Sequence, residues 1–96
     1  MQKIFNEFKH IKTKKNEALC SLKDVCNHFY FINSGCLRLH QTDSNGKHII
    51  DYFALEDSFI TAVTSFMIEI LSKHLLTSQT ACDLLVINRN GFLKIN

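Results

Sequence analysis

The spacing of apolar residues changes period several times along the chain, and each change predicts a new element. In residues 2–11, QKIFNEFKHI, Ile4, Phe8 and Ile11 recur at steps of four and three, which predicts a short amphipathic N-terminal helix lying as a lid on the rest. From about residue 12 the period moves toward two. KKNEALC and HFYFIN read as β-strands with LKDVCN as the loop between them. Ser34-Gly35 interrupts the run, because glycine tolerates the positive φ that a tight hairpin requires. In CLRLHQT, Leu37 and Leu39 point one way and Arg38 and His40 the other, the alternation of a half-buried strand. Asp43-Ser44-Asn45-Gly46 supplies a second turn, and KHIIDYF follows as the partner strand.

Over 59–71, FITAVTSFMIEIL, the period returns to that of a helix. Ile60, Val63, Met67, Ile70 and Leu71 form the apolar stripe expected to face the core, while Ile68 lies off it and marks a partner surface. KHLLTSQT and DLLVINR then predict two more strands, and NGFLKIN a final turn or the stump of a helix. The expected order is helix, five or six short strands, helix, two strands. Many short strands with regular turns point to a mainly β fold, a double-stranded β-helix or jelly-roll with an N-terminal helix and one short inserted helix. Such a roll can enclose a pocket, and the helix set between two strands brings backbone donors toward it.

Composition narrows the class. At 96 residues, residues 1–96 make one small domain, which buries about 60 to 65% of its unfolded surface. Hydrophobic residues make up 46% of it, with eight Phe and no Pro, enough for a packed core and unlike a linker. A net charge of +2 is far from the basic balance that advertises nucleic-acid binding. Lys9, His10, Lys12, Lys14 and Lys15 form a basic cluster that reads as a solvated face. No apolar stretch approaches the roughly 20 residues that span a bilayer, and the N-terminus lacks a signal segment, so a cytoplasmic protein with no membrane partner is expected. Cys20, Cys26, Cys36 and Cys82 are spaced too irregularly for a CxxC site and are expected to be free thiols.

The quoted motifs carry a resemblance. VCNHFYFINSGCLRLH, then DSNGKHIIDYFALEDSFIT, then DLLVINRNGF resemble the cyclic-nucleotide-binding-like sensor domain of the Crp/Fnr family of bacterial transcription regulators, in its Bacteroidetes-type form. The resemblance covers residues 5–95. It implies a β-roll whose inserted helix opens with a Gly-Glu pair, the Glu holding a ribose hydroxyl, and a downstream Arg-Ser or Arg-Thr pair holding the cyclic phosphate. Those positions fall on Thr61 and Ala62, and on Ser72 and Lys73, so neither pair is present. Thr61 adds a Cβ where the backbone would approach a ligand, Ala62 accepts no hydrogen bond, and Lys73 lacks the planar fork of arginine. A lost ion-paired contact of this kind costs roughly 2 to 5 kcal/mol. The resemblance therefore implies an effector-binding domain without standard cyclic AMP binding. Its expected partner is a small anionic or nucleotide-like effector, approached by Thr61, Ala62, Ser72 and Lys73, with no cofactor. Lys23 stands where many members have a turn glycine, and Asp24 keeps the acidic residue that follows. Members continue into a dimerisation helix and a helix-turn-helix, and the chain stops at Asn96. The resemblance implies either a truncated or degenerate sensor or a regulator whose DNA-binding part lies beyond these residues; DNA is touched only through that missing C-terminal domain, with a homodimer left open.

A cupin-like metal-binding roll would use His28, His40, His48 and His74, but no His-x-His pair occurs, and each reads as a surface or packing histidine. An enzyme would need Cys36 with His40 or His48 and an orienting group, a pairing that chance supplies readily; no catalysis is expected. An iron-sulfur sensor would need clustered cysteines before Cys20. Glu56-Asp57 is expected to complement the dipole of the following helix rather than to act as a carboxylate pair.

Overall fold

The computed structural model describes residues 8–22 and 24–94, with positions 48, 51 and 64 described by backbone alone. The elements are β1 (Lys9–Thr13), β2 (Ala18–Cys20), β3 (His28–Ser34), β4 (Leu37–Thr42), β5 (His48–Ala54) and β6 (Phe59–Ile60). Helix α1 (Val63–Ile68) follows, then β7 (Leu75–Ser78), β8 (Cys82–Asn88) and helix α2 (Arg89–Lys94). Two antiparallel four-stranded sheets result, ordered β1-β8-β3-β6 and β2-β7-β4-β5. Nearly every connection passes from one sheet to the other, which is the β-roll the patterning predicts. Tyr30, Ile32, Leu84 and Val86 of the first sheet and Leu37, Leu39 and Leu76 of the second meet in the core between them.

The turn at Gly35 has φ of 101°, as a glycine there requires, but it closes no hairpin: β3 and β4 belong to different sheets. It is a corner, held by the Gln79 amide donating to the Cys36 carbonyl at 2.8 Å and by the Cys36 amide donating to Thr80 Oγ1 at 3.1 Å. The β4–β5 hairpin is present. Asp43 Oδ1 accepts from the amides of Asn45 and Lys47, both at 2.9 Å, and Gly46 takes φ of 81°.

Several expectations need correction. Residues 9–11 are not helical: Ile11 pairs with Leu84 in β1, where long-range hydrogen bonding overrides a local periodicity of three residues. Residues 2–7 of that predicted helix, with Ile4, lie outside the described residues, and Phe8 is in neither helix nor strand. The strand expected over 14–20 shrinks to Ala18–Cys20, because Asn16 turns the chain with φ of 67°. The alternation of β4 breaks at a bulge between Leu39 and His40, so His40 is buried, with Nε2 3.0 Å from Thr77 Oγ1.

The cysteines also depart from expectation. Cys20 and Cys26 form a disulfide, their Cα atoms 5.9 Å apart, because the chain leaving β2 doubles back on itself. Cys36 and Cys82 are free thiols.

On the outer face of the first sheet, His10 Nε2 donates to Asp83 Oδ1, and Asn33 Nδ2 adds a bond at 3.3 Å. The His10 bond above all, with help from Asn33 and the charges of His10 and Lys12, holds the Asp83 carboxyl below its ordinary range against the opposing effect of desolvation. A depressed carboxylate favours the fold above the unfolded value near 3.8, and this contribution disappears as pH falls through the folded value. An NMR titration is expected to place the Asp83 midpoint below 3.8 and to return it toward 3.8 in His10→Ala. An unchanged midpoint in the variant would refute the pairing.

Candidate functional site

β6 hydrogen-bonds to β3 through Tyr30 opposite Ile60 and Phe31 opposite Phe59, and so delivers Thr61 and Ala62 to the start of α1. The region expected to be one helix over 59–71 is therefore a two-residue strand and a six-residue helix. The helix ends where Glu69 turns left-handed, φ 57°, and its amide bonds the Ser65 carbonyl at 2.9 Å. Glu56-Asp57 do not serve it. Asp57 sits in the turn before β6, φ 66°, its amide donating to the Ile32 carbonyl, and no acidic residue lies in the first turn of α1.

The predicted stripe is on the wrong face. Ile60 is buried in β6, but Val63, Met67, Ile70 and Leu71 are 61%, 59%, 43% and 58% exposed, and Ile68 is exposed beside them. Ala62, Ser65 and Phe66 are buried instead. The shift follows from the early strand. Once Thr61 and Ala62 leave β6 in extended geometry, the helix phase starts afresh at Val63.

Behind that inner face lies a cavity of about 160 Å³ lined by Ala62, Ser65, Ile70, Leu71, Ser72, Lys73 and His74. Three of the four predicted site residues, Ala62, Ser72 and Lys73, thus come together. Thr61 stands beside them, but its hydroxyl donates away to the His28 carbonyl at 2.7 Å. Ser72 is committed too: Oγ donates to the His74 carbonyl at 2.7 Å and accepts from the His74 amide at 3.0 Å. Ser65 Oγ accepts the Cys26 amide at 2.8 Å and donates to the Ile70 carbonyl. The cavity is walled by apolar groups, internally satisfied hydroxyls and half-buried His74, with exposed Lys73 at its edge. It is about half the roughly 300 Å³ at which small-molecule pockets begin.

Sequence reasoning missed Arg89, the first residue of α2. Its guanidinium donates from Nε to the Phe66 carbonyl at 2.8 Å, from Nη1 to Asn27 Oδ1 at 2.8 Å and from Nη2 to the Cys26 carbonyl at 3.0 Å, and lies 5.4 Å from the Phe66 ring centre. It also pairs with Glu69 at 3.2 Å. One side chain thereby joins α1, α2 and the β2–β3 loop. No spacing rule in one dimension points to it, since its partners lie 20 to 63 residues away.

Two larger clefts lie elsewhere. One of about 260 Å³ is lined by Lys9, Ile11, His28, Tyr30, Val86 and Asn88, and one of about 450 Å³ runs along the β2–β3 loop. Both share His28, whose pKa is lowered below 6.5 by burial first and then by the charges of Arg89 and Lys9. Both are also lined by Tyr30, whose pKa is pushed up to about 12 by burial. Among the described residues, no three His, Cys, Asp or Glu side chains converge to hold a metal, and no helix is long and apolar enough to cross a membrane.

Residues 10–95 match the family model described as the cyclic nucleotide-binding domain. No curated protein matches the sequence. Among solved structures, the catabolite activator protein of Thermus thermophilus superposes with a TM-score of 0.86 at 16% identity, over 95% of this chain and 42% of that one. The sensor domain of the transcriptional regulator DNR from Pseudomonas aeruginosa gives 0.84 at 15%, over 97% and 62%. The regulatory domain of Toxoplasma gondii PKA with cAMP gives 0.87 at 18%, over 98% and 35%. The chain spans between about a third and two thirds of those chains, and at these identities the likeness is one of fold.

Proposed function

The chain belongs to the cyclic nucleotide-binding domain family, and from that premise we propose that it is an effector-sensing module that has given up standard cyclic AMP binding. The cavity between α1 and β7 is the effector site in this reading. The observation that carries it is the chemistry of that cavity: Ala62 offers no acceptor for a sugar hydroxyl, Ser72 places a satisfied hydroxyl where a guanidinium would be needed, and about 160 Å³ is too little for a nucleotide. A small anion drawn to Lys73, with Ala62 and Ser72 as walls and Thr61 behind, fits better. The role is binding rather than catalysis, in one domain placed in the cytoplasm. DNA contact, on this reading, belongs to a separate domain. Effector binding would shift the population between arrangements of α1 and the roll.

Calorimetry with cyclic AMP and cyclic GMP is expected to give no saturation up to about millimolar concentration. The quadruple variant Thr61→Gly, Ala62→Glu, Ser72→Arg, Lys73→Ser is expected to bind at least about thirtyfold more tightly, the lower end of the 2 to 5 kcal/mol that such contacts contribute. Micromolar binding of cyclic AMP by the unaltered protein would overturn the proposal.

A further inference from the structure

We propose that Cys20 and Cys26 form a redox-sensitive clamp on the candidate effector site; the inference rests on the assignment of that site to the α1–β7 segment. The loop between the two cysteines is the outer wall of the segment. The Ser72 amide donates to the Asp24 carbonyl at 2.8 Å, and Val25 bridges to Leu71 in antiparallel fashion. Cys26 itself is a joint. Its amide donates to Ser65 Oγ at 2.8 Å and its carbonyl accepts from Arg89 Nη2 at 3.0 Å. The next residue, Asn27, accepts from the Arg89 amide at 2.9 Å and the Arg89 guanidinium at 2.8 Å. At the other end, Cys20 is held in β2, where it pairs with Leu76 of β7.

With the sulfurs joined, Asp24, Val25 and Cys26 belong to a ring closed over a sequence separation of six and have little freedom to leave Leu71 and Ser72. With the thiols reduced, the same contacts are held by a free loop. Both cysteines line the 450 Å³ cleft beside Ser21, Asp24 and Asn27, which gives a small oxidant a route of approach.

Oxidation runs by exchange with a low-molecular-weight disulfide such as glutathione disulfide. One protein thiolate attacks a glutathione sulfur, forming a mixed disulfide and releasing one glutathione thiolate. The second protein thiolate then attacks the protein sulfur of that mixed disulfide and releases the other. Two protein thiols are oxidised, one glutathione disulfide is reduced to two thiols, and the two protons pass to the departing glutathione. In a compartment that keeps thiols reduced, a disulfide of this kind reports a change in redox poise.

The test uses the full chain equilibrated in glutathione buffers of different ratio, with free thiols counted by alkylation and mass, and amide exchange read residue by residue. In oxidised glutathione two alkylatable thiols are expected, Cys36 and Cys82, and in reduced glutathione all four. Reduction is expected to speed exchange at the Cys26, Ser72 and Arg89 amides by about tenfold to fiftyfold, the loop-closure effect of so short a ring, with the Gln79 amide unchanged. Cys26→Ser is expected to show the reduced profile in every buffer, and the unaltered protein provides the same comparison if that variant does not fold. Failure of the pair to link in glutathione disulfide, equal exchange in both states, or an acceleration shared by Gln79 would overturn the clamp. No ligand enters these readouts, so they stand or fall separately from the binding result that tests the effector site.

Discussion

Phe66→Ala is expected to lower stability by about 4 kcal/mol, the usual cost of emptying a well-packed aromatic site. Phe66 is 1% exposed and has the Phe29 and Phe92 rings edge-on at 5.7 and 5.3 Å, with the Arg89 guanidinium over its face. Alanine keeps the backbone carbonyl that Arg89 Nε reaches, so the loss reports the ring and its cavity and not that hydrogen bond. In a domain whose whole stability is about 5 to 10 kcal/mol, this leaves the variant near the edge of folding. Val63→Ala and Met67→Ala, on the exposed face of the same helix, are expected to cost less than about 1 kcal/mol each. Urea titration of the three variants decides the face. Equal losses at Phe66 and Met67 would return the buried side to the stripe that periodicity selects.

Gly35→Ala is expected to cost about 3 kcal/mol, visible as a fall in Tm of about 12 to 24 °C for a domain of this size. Two effects add. A φ of 101° is a conformation that side-chain-bearing residues rarely adopt, and a new Cβ would stand 2.7 Å from the Ala81 carbonyl oxygen and from Cys82 Sγ, and 3.0 Å from Cys82 Cα. Two of those atoms are backbone at the entry to β8, so relief means moving the corner where the sheets join. Gly46 is the internal control. Its φ of 81° is also positive, but a Cβ there meets nothing within 4 Å, so Gly46→Ala is expected to lose only about 1 kcal/mol. Comparable melting points for the two variants would refute the crowding at Gly35.

The two sets of variants also separate what one dimension carries from what it does not. Strands β3, β4, β5, β7 and β8 were legible because each has a run of alternating or continuous apolar residues bounded by turn-forming residues, and the positive φ at Gly35 and Gly46 followed from residue chemistry alone. Ala62, Ser72 and Lys73, singled out from motif order, line one cavity together with Ser65 and His74. Three things were not legible. Ile11 sits in a strand because β8 is there to pair with it, and the inserted helix buries Phe66 because β6 resets its phase. Cys20 and Cys26 meet because the β2–β3 loop folds back on α1.

The sequence by itself determined the mainly β-roll class and the positive φ at Gly35 and Gly46, since each is a property of residue type and local spacing. Tertiary structure alone decided which face of α1 is buried, that the hydroxyls of Thr61, Ser65 and Ser72 are consumed internally, and that Arg89 ties three elements together. Those outcomes depend on hydrogen bonds between residues tens of positions apart, whose geometry exists only once both sheets have closed.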